Sequence, residues 1–359
     1  MMLKNKRVIV APLNWGLGHA TRCIPIINEL LKNNVEVVIV ANNQTEEFLK
    51  TEFPKLEFYK LSGINFSYGR NIPKAIIFQF YKLIKSFLVE RNFIINVIPQ
   101  LNIQGIISDG RFGLYSNSIP SIYLTHQLHI EVPTSLKFIS PLLNYFHRII
   151  INQFTKCLVL DSKSENNLSG KLGHPANIPK NVNYIGPITR FKHKSKNNNK
   201  NILAILSGPE PHRTEFELSL IHQSIENNIP ITIVRGIKGN EECYNLNDNI
   251  KLYNNSNTVV LKKLLDDSGI LISRSGYSTL MDLNVTKKKA ILVPTPGQSE
   301  QEYLAAYHKS VNNYLIVNKN EFDLKYIFSK TNVFSNYKFP KLPVSELRQT
   351  LKDFINQLI

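Results

Sequence analysis

Two stretches of this 359-residue chain place small, polar residues directly after apolar strands. The first follows Ile270-Leu271-Ile272 and reads Ser273-Arg274-Ser275-Gly276-Tyr277-Ser278, with a helical pattern after it. A turn of this kind presents backbone N–H groups at a helix N-terminus, where phosphate binds. The second follows the strand 290–293 and carries side chains that can bind sugar hydroxyl groups, namely Gln298, Glu300, Gln301 and Glu302. Phosphate at one turn and sugar at the next predict a nucleotide-sugar site.

The helix after Ser278 carries a further candidate, Asp282. Its spacing from Gly276 would let the carboxylate reach a ribose while the helix N-terminus holds phosphate. Arg274, Ser275 and Ser278 add donors to the same turn.

A glycine turn near the N-terminus supplies the candidates for proton transfer. Gly16 and Gly18 precede a helical pattern, with Gly18 predicted on the donor side and Gly16, like His126, on the acceptor side. His19 at that turn could take a proton from an acceptor hydroxyl near neutral pH. Asp109, at the end of the strand 105–108, could orient or share that proton, and His126 follows another strand. The alternatives are a turn without a ligand, a histidine that only bonds the helix start, and an aspartate that only caps.

Two further positions follow strands of the second half. Ser207 and Gly208 could contact phosphate, although the prolines at 209 and 211 remove two backbone donors. Arg235 could meet a diphosphate. Turn shaping and surface exposure explain these residues about equally well.

Composition limits the classes of partner. A net charge of +16 favours an anionic partner, or else reflects lysines scattered over a solvated surface. The three cysteines are far apart, which fits a reducing compartment without structural zinc. The expected protein is cytoplasmic, needs no metal or other cofactor, has no membrane-spanning helix and binds no nucleic acid, because no nucleic-acid module is present.

Short β-branched runs alternate with amphipathic segments, a pattern that predicts parallel sheets built from βαβ units. The pattern stops at a polar Lys/Asn tract and then restarts. We therefore predict two Rossmann-like domains facing each other across a cleft: an acceptor-binding domain at 1–188, a linker at 189–200, a nucleotide-sugar domain at 201–340 and a helix at 341–359 that packs back across them.

The block Ser273 to Gly276 with Asp282, followed by 294–302, resembles the signature of the glycosyltransferase family 28 C-terminal domain, and Gly18-His19 resembles the N-terminal turn of the same superfamily. The resemblance implies an α/β fold of the GT-B type and an inverting, metal-independent transfer from a UDP-sugar, with N-acetylglucosamine as the sugar. It also implies that Ser275 and Gly276 lie at the diphosphate, Asp282 at the ribose and Gln301 at the sugar. The family pattern has glutamate at the position of Asp282 and glutamine at that of Glu302.

The sequence does not identify the acceptor, which is expected to be a glycan or a lipid-linked molecule. Residues 73–101 and 136–154 mix apolar side chains with cations, a composition that suits either an anionic membrane surface or core helices with solvated edges. The alternatives to a transferase are a UDP-N-acetylglucosamine 2-epimerase-like enzyme, a non-catalytic nucleotide-sugar-binding protein and a nucleic-acid binder.

Overall fold

The computed structural model describes residues 6–61, 72–191, 201–237, 242–329 and 339–358, without the side chains of residues 72–80 and 134. Most of the predicted linker, residues 192–200, lies outside the described residues. The predicted domain boundaries therefore stay predictions.

Fourteen strands in the described ranges form two sheets. The first sheet contains β1 (Arg7–Pro12), β2 (Glu36–Ala41), β3 (Glu57–Lys60), β4 (Gly105–Asp109), β5 (Ser121–Thr125), β6 (Lys156–Val159) and β7 (Val182–Tyr184). The second contains β8 (Ile202–Ile205), β9 (Ile231–Val234), β10 (Cys243–Asn247), β11 (Ile250–Tyr253), β12 (Ile270–Ser273), β13 (Ala290–Leu292) and β14 (Leu315–Ile316).

Ten α-helices are described alongside these strands. They are α1 (Leu17–Lys32), α2 (Asn43–Glu52), α3 (Ile72–Leu101), α4 (Ser140–Ile151), α5 (His212–Asn227), α6 (Thr258–Asp267), α7 (Tyr277–Thr286), α8 (Ser299–Ser310), α9 (Leu324–Ser329) and α10 (Leu347–Asn356). None of the helices in the described part of the chain is long and apolar enough to cross a membrane.

The two sheets share the order of their first six parallel strands, to which the first sheet adds β7 at one edge and the second adds the antiparallel β10 at the other. Their orders are β3-β2-β1-β4-β5-β6-β7 and β10-β11-β9-β8-β12-β13-β14, and every pairing is parallel except that of β10 with β11. Each contains the 3-2-1-4-5-6 order of a Rossmann-like sheet, whose order reverses beside the first strand. The predicted α/β class with two parallel sheets is confirmed.

Burial explains why these segments become central strands. β4, β5 and β12 are buried along their whole length, and β1 is buried at every residue after Arg7, because helices cover both faces of a parallel sheet. The β-branched residues concentrated there fit a pleated, buried surface.

The two halves contact each other along the carboxyl ends of their strands. Tyr277 of α7 donates from its hydroxyl to the carbonyl of Leu160 at 2.8 Å, and His308 Nε2 lies 2.9 Å from the carbonyl of Leu168. At its end the chain returns to the first half, where Lys6 Nζ donates to the carbonyl of Ile355 in α10 at 2.6 Å.

Two buried histidines should make the fold sensitive to acid. Burial lowers the pKa of both His147 and His308 to about 4, from 6.5. Between these values the unfolded chain binds protons that the folded chain does not, so the free energy of unfolding must fall as the pH falls. We expect a loss of about 3 kcal/mol per histidine by pH 4.

Urea unfolding from about pH 7 to about pH 4 measures this loss. Burial raises the pKa of Asp282 to about 6, so this residue stabilises the fold as the pH falls. Its effect is smaller than the combined effect of the two histidines. His308→Gln should flatten the pH dependence, whereas His222→Gln, on an exposed face of α5, should not. A free energy of unfolding that does not change with pH in the wild type and in His222→Gln would contradict the prediction.

Candidate functional site

The first half brings His19 and Asp109 together at the point where its strand order reverses. β1 and β4 are neighbours in the sheet, His19 lies in the first turn of the helix after β1, and Asp109 is the last residue of β4. His19 Nδ1 lies 3.1 Å from Asp109 Oδ2, with the histidine side chain 17% exposed and the carboxylate fully buried. The crevice at the carboxyl ends of parallel strands is the usual ligand site of such sheets.

Arg22 lies at the centre of this cluster. It is buried on α1, one turn after His19, and its guanidinium donates from Nε to Asp109 Oδ2 at 2.7 Å and from Nη2 to Asp109 Oδ1. Nη2 also lies 2.7 Å from His19 Nδ1, and Nη1 lies 3.0 Å from His126 Nδ1. One guanidinium therefore joins both histidines and the carboxylate.

His126 extends the cluster into the second half. Its Nε2 lies 2.8 Å from Glu300 Oε1 at the start of α8, and its ring stacks on Tyr277 with 4.2 Å between centroids. The five residues His19, Arg22, Asp109, His126 and Glu300 are called the polar cluster below.

Charge balance decides the protonation states in the polar cluster. Burial alone would raise the pKa of Asp109, but Arg22 and His19 together outweigh it and hold that pKa at about 2. Burial and then Arg22 lower the pKa of His19, against the opposing effect of Asp109. At neutral pH the site therefore contains an ionised carboxylate beside a neutral imidazole, which is able to accept a proton.

Two glycines allow close approach around His19. A side chain at Gly18 would lie 3.0 Å from Ser278 Oγ, which donates to the Gly18 carbonyl at 2.9 Å. Gly110 has φ +72°, and a Cβ there would lie 3.0 Å from the His19 ring. Gly18 lets the first turns of α1 and α7 meet, and Gly110 leaves room for the imidazole. Gly16, which was predicted on the acceptor side together with His126, precedes α1 as its N-cap residue.

The turn after β12 is held largely by its own side chains. Arg274 is buried, donates from Nη2 to the carbonyl of His212 at 2.8 Å and packs on the Phe216 ring. Ser275 Oγ donates to the carbonyl of Gln301 at 2.9 Å. Gly276 forms the N-cap of α7, with open space where a side chain would project. These contacts bind the turn to the first turns of α5 and α8.

The predicted sugar loop makes local hydrogen bonds at the start of α8. Gln301 Oε1 accepts from the backbone N–H of Thr295 at 2.9 Å, and Glu302 Oε1 accepts from that of Gly297 at 2.8 Å. Gln298 accepts from the Gln301 amide. Glu300 is the member of this group that reaches the other half.

The remaining predicted residues lie around the second sheet. Arg235 donates from Nε to Glu217 at 2.7 Å, and Gly208 lies beside Thr295 in the loop that Ser207 begins after β8. Asp282 accepts from the hydroxyl of Thr189 at 2.5 Å, on the segment that leaves the first half.

Sequence reasoning missed Arg22 and Tyr277. Arg22 carried a signal, since it is three residues after His19 and therefore on the same helix face, within an otherwise apolar stretch. Tyr277 gave no comparable signal, because its ring stacks on that of His126, which is distant in the sequence.

Comparison with known proteins concerns the fold and the second half of the chain. Residues 225–357 match the glycosyltransferase family 28 C-terminal domain. The chain is similar to the glycotransferase of kitacinnamycin, with a TM-score of 0.61, 12% identity and coverage of 99% of this chain and 95% of that one. It is also similar to MurG of Acinetobacter baumannii, with a TM-score of 0.53, 12% identity and coverage of 98% and 100%. Fold and matched domain define the class of structure: an α/β protein with the GT-B fold, whose residues 225–357 match a glycosyltransferase domain.

A more specific likeness concerns part of the chain. Over 149 residues the chain is 27% identical to a UDP-N-acetylglucosamine–N-acetylmuramyl-(pentapeptide) pyrophosphoryl-undecaprenol N-acetylglucosamine transferase of Wolbachia sp. subsp. Brugia malayi (strain TRS). The alignment covers 38% of this chain and 43% of that relative, so the chain matches less than half of the relative's length.

Proposed function

We propose that the protein is a glycosyltransferase that moves a hexose or hexosamine, with N-acetylglucosamine as the first choice, from a UDP-sugar to an acceptor hydroxyl. The observation that supports this most is the polar cluster. It places a neutral His19 3.1 Å from an ionised Asp109, and Arg22 and His126 connect this pair to Glu300 of the loop predicted to bind the sugar. The matched C-terminal domain supports the donor class.

The proposed reaction inverts the anomeric centre. The acceptor oxygen forms a bond to the anomeric carbon while the bond from that carbon to the diphosphate oxygen breaks, and UDP leaves with the electron pair. The acceptor proton passes to His19, with Asp109 holding the charge that develops on the ring. Backbone N–H groups at the N-terminus of α7 stabilise the departing diphosphate, so that no metal is required.

The donor is proposed to lie between α7 and the loop before α8. Ser275, Gly276 and Ser278 face the diphosphate in this proposal, Asp282 the ribose, and Gln298, Glu300, Gln301 and Glu302 the sugar. Arg274 supports the phosphate turn through its hydrogen bond to the His212 carbonyl. Ser207, Gly208 and Arg235 line the part of the site that holds the nucleotide. A diphosphate between the turns replaces the hydrogen bond from Ser278 to Gly18.

The acceptor is proposed to be a lipid-linked molecule or glycan, reached at an anionic membrane surface from the cytoplasmic side. The support is an exposed apolar face on α4 and the turn before it, with Lys137 exposed beside it. Its members are Phe138, Leu142, Tyr145, Phe146 and Ile149. Apolar side chains beside cations bind anionic interfaces.

Replacing Phe138, which is 77% exposed, and Leu142 by aspartate should weaken sedimentation with anionic liposomes at least about tenfold, because apolar area is lost and negative charge added. The matched control is Val259→Asp, 79% exposed on α6 of the second half. Equal sedimentation of all three proteins, or sedimentation independent of anionic lipid, would contradict membrane binding by this face.

The activity is tested by incubating the protein with radiolabelled UDP-N-acetylglucosamine and bacterial lipid extract. Free UDP and a labelled, solvent-extractable product are expected. Release of UDP without an acceptor product would indicate hydrolysis or an unsuitable acceptor pool, and a changed sugar still attached to UDP would favour the 2-epimerase-like alternative. Binding without any turnover would favour a nucleotide-sugar-binding protein.

A further inference from the structure

Arg22 and Asp109 compete for the same ring nitrogen of His19. Nδ1 lies 2.7 Å from Arg22 Nη2 and 3.1 Å from Asp109 Oδ2. A neutral imidazole nitrogen either carries a hydrogen and donates or has a lone pair and accepts. Nδ1 can therefore satisfy Asp109 or Arg22, but not both.

The hydrogen bonds of Arg22 favour acceptance by Nδ1. Its Nε–H and one Nη2–H point to the two oxygens of Asp109, and the second Nη2–H is left for His19 Nδ1. One Nη1–H reaches His126 Nδ1, which leaves the hydrogen of His126 on Nε2 to be donated to Glu300. In this arrangement each of these five hydrogen bonds joins an N–H donor to an atom that can accept it.

The opposite arrangement leaves a buried donor without an acceptor. A hydrogen on His19 Nδ1 would face an Arg22 N–H across 2.7 Å, and that N–H would lose its partner in a site where Arg22 and Asp109 are shielded from solvent. Buried unpaired donors are strongly disfavoured. Asp109 loses little when Nδ1 carries no hydrogen, because it accepts two hydrogen bonds from Arg22.

We infer that Arg22, and not Asp109, determines which ring nitrogen of His19 carries the proton, and that it holds His19 in the Nε2–H tautomer in the free protein. His19 then presents an N–H to the cleft. Accepting a proton through Nε2, as the proposed transferase reaction requires, becomes possible only after Nη2 of Arg22 leaves Nδ1. The ring then loses its proton from Nε2 to solvent and takes one up at Nδ1, so it stays neutral. The new Nδ1–H donates a hydrogen bond to Asp109. Arg22 is thus a positioning residue that controls when His19 can act as a base.

The charged and titratable groups around His19 come from four parts of the chain. They are Arg22 on α1, Asp109 on β4, His126 after β5 and Glu300 on α8. Burial lowers the pKa of His19 and Arg22 lowers it further. The neutral ring is therefore the form to observe at about pH 8, well above the usual histidine pKa.

The test is a long-range proton–nitrogen NMR spectrum of the free wild-type protein, labelled with ¹⁵N-histidine, with His19 assigned by its loss in His19→Gln. We expect the Nε2–H pattern for His19. An Nδ1–H pattern in the wild type would overturn the inference. The spectrum requires no substrate, so its outcome is independent of whether UDP-sugars bind or react.

Two variants separate Arg22 from Asp109 as the cause. Lysine cannot reproduce the planar fork that reaches a carboxylate and a ring nitrogen together, so Arg22→Lys should change His19 to the Nδ1–H pattern. Asp109→Asn should retain Nε2–H. Retention of Nε2–H in Arg22→Lys, or its loss in Asp109→Asn alone, would show that Arg22 is not the determinant. The unchanged Nε2–H pattern of buried His308, whose Nε2 lies 2.9 Å from the Leu168 carbonyl of the other half, shows that each variant is folded.

Discussion

Asp109→Asn is expected to lower the rate of sugar transfer on the order of 10⁴-fold, the scale of loss seen when the carboxylate behind a catalytic histidine becomes an amide. Asp109 is the buried anion closest to His19 and accepts two hydrogen bonds from Arg22. Without its charge the ring has no anion to stabilise the imidazolium that forms when a proton is accepted. The measurement is the transfer rate at saturating donor for wild type and variant.

The same substitution should destabilise the fold, because it leaves the Arg22 guanidinium buried without its counter-ion. Breaking a buried ion pair in this way costs about 3–5 kcal/mol. Glu90→Gln is the matched control, since Glu90 forms another buried ion pair in the first half, with Arg111 at 3.1 Å. We expect the control to lose stability but to retain its transfer rate per folded molecule. A similar loss of rate in both variants would assign the effect of Asp109→Asn to folding.

His19→Gln is expected to reduce transfer by about 10²–10⁴-fold, the usual contribution of a positioned general base. Glutamine can fill the same space but cannot accept a proton near neutral pH. Since the side chain is partly exposed and lies outside the predicted phosphate and ribose contacts, the affinity for the UDP-sugar should change little. The rate of transfer and the donor dissociation constant, determined separately, check both statements.

His222→Gln is the control for this substitution, because His222 is 72% exposed on α5 and pairs only within its own helix. It should retain the wild-type rate. Transfer by His19→Gln within a few-fold of wild type would remove His19 from the reaction and leave His126 and Asp109 as the remaining candidates.

The sequence predicts the central strands well because burial on both faces leaves a readable pattern. The predicted strands at 105–108 and 290–293 are β4 and β13 to within one residue. The strands β7, β10, β11 and β14 were not predicted. β10 is exposed at every position and polar in part, and β14 is two residues long, so neither has the apolar run that marks a buried strand.

The candidate site was predictable only within each half. His19 and Asp109 were paired from the ends of two strands, since parallel strands that are neighbours bring their carboxyl ends together. The contact of Glu300 with His126 depends on how the two halves meet, which no local pattern encodes. The competition at His19 Nδ1 depends on differences of a few tenths of an ångström and requires coordinates.

The most direct test of donor binding between the two halves uses Trp15, the single tryptophan of the chain, which is 47% exposed and lies four residues before His19. The measurement is its fluorescence during titration with UDP-N-acetylglucosamine, with GDP- and dTDP-sugars as controls. A saturable change with the UDP-sugar, reached at an at least about tenfold lower concentration than with the other two, is the expected result. No change with any uridine nucleotide, in a protein whose thermal unfolding these nucleotides also leave unaltered, would contradict the proposed donor site.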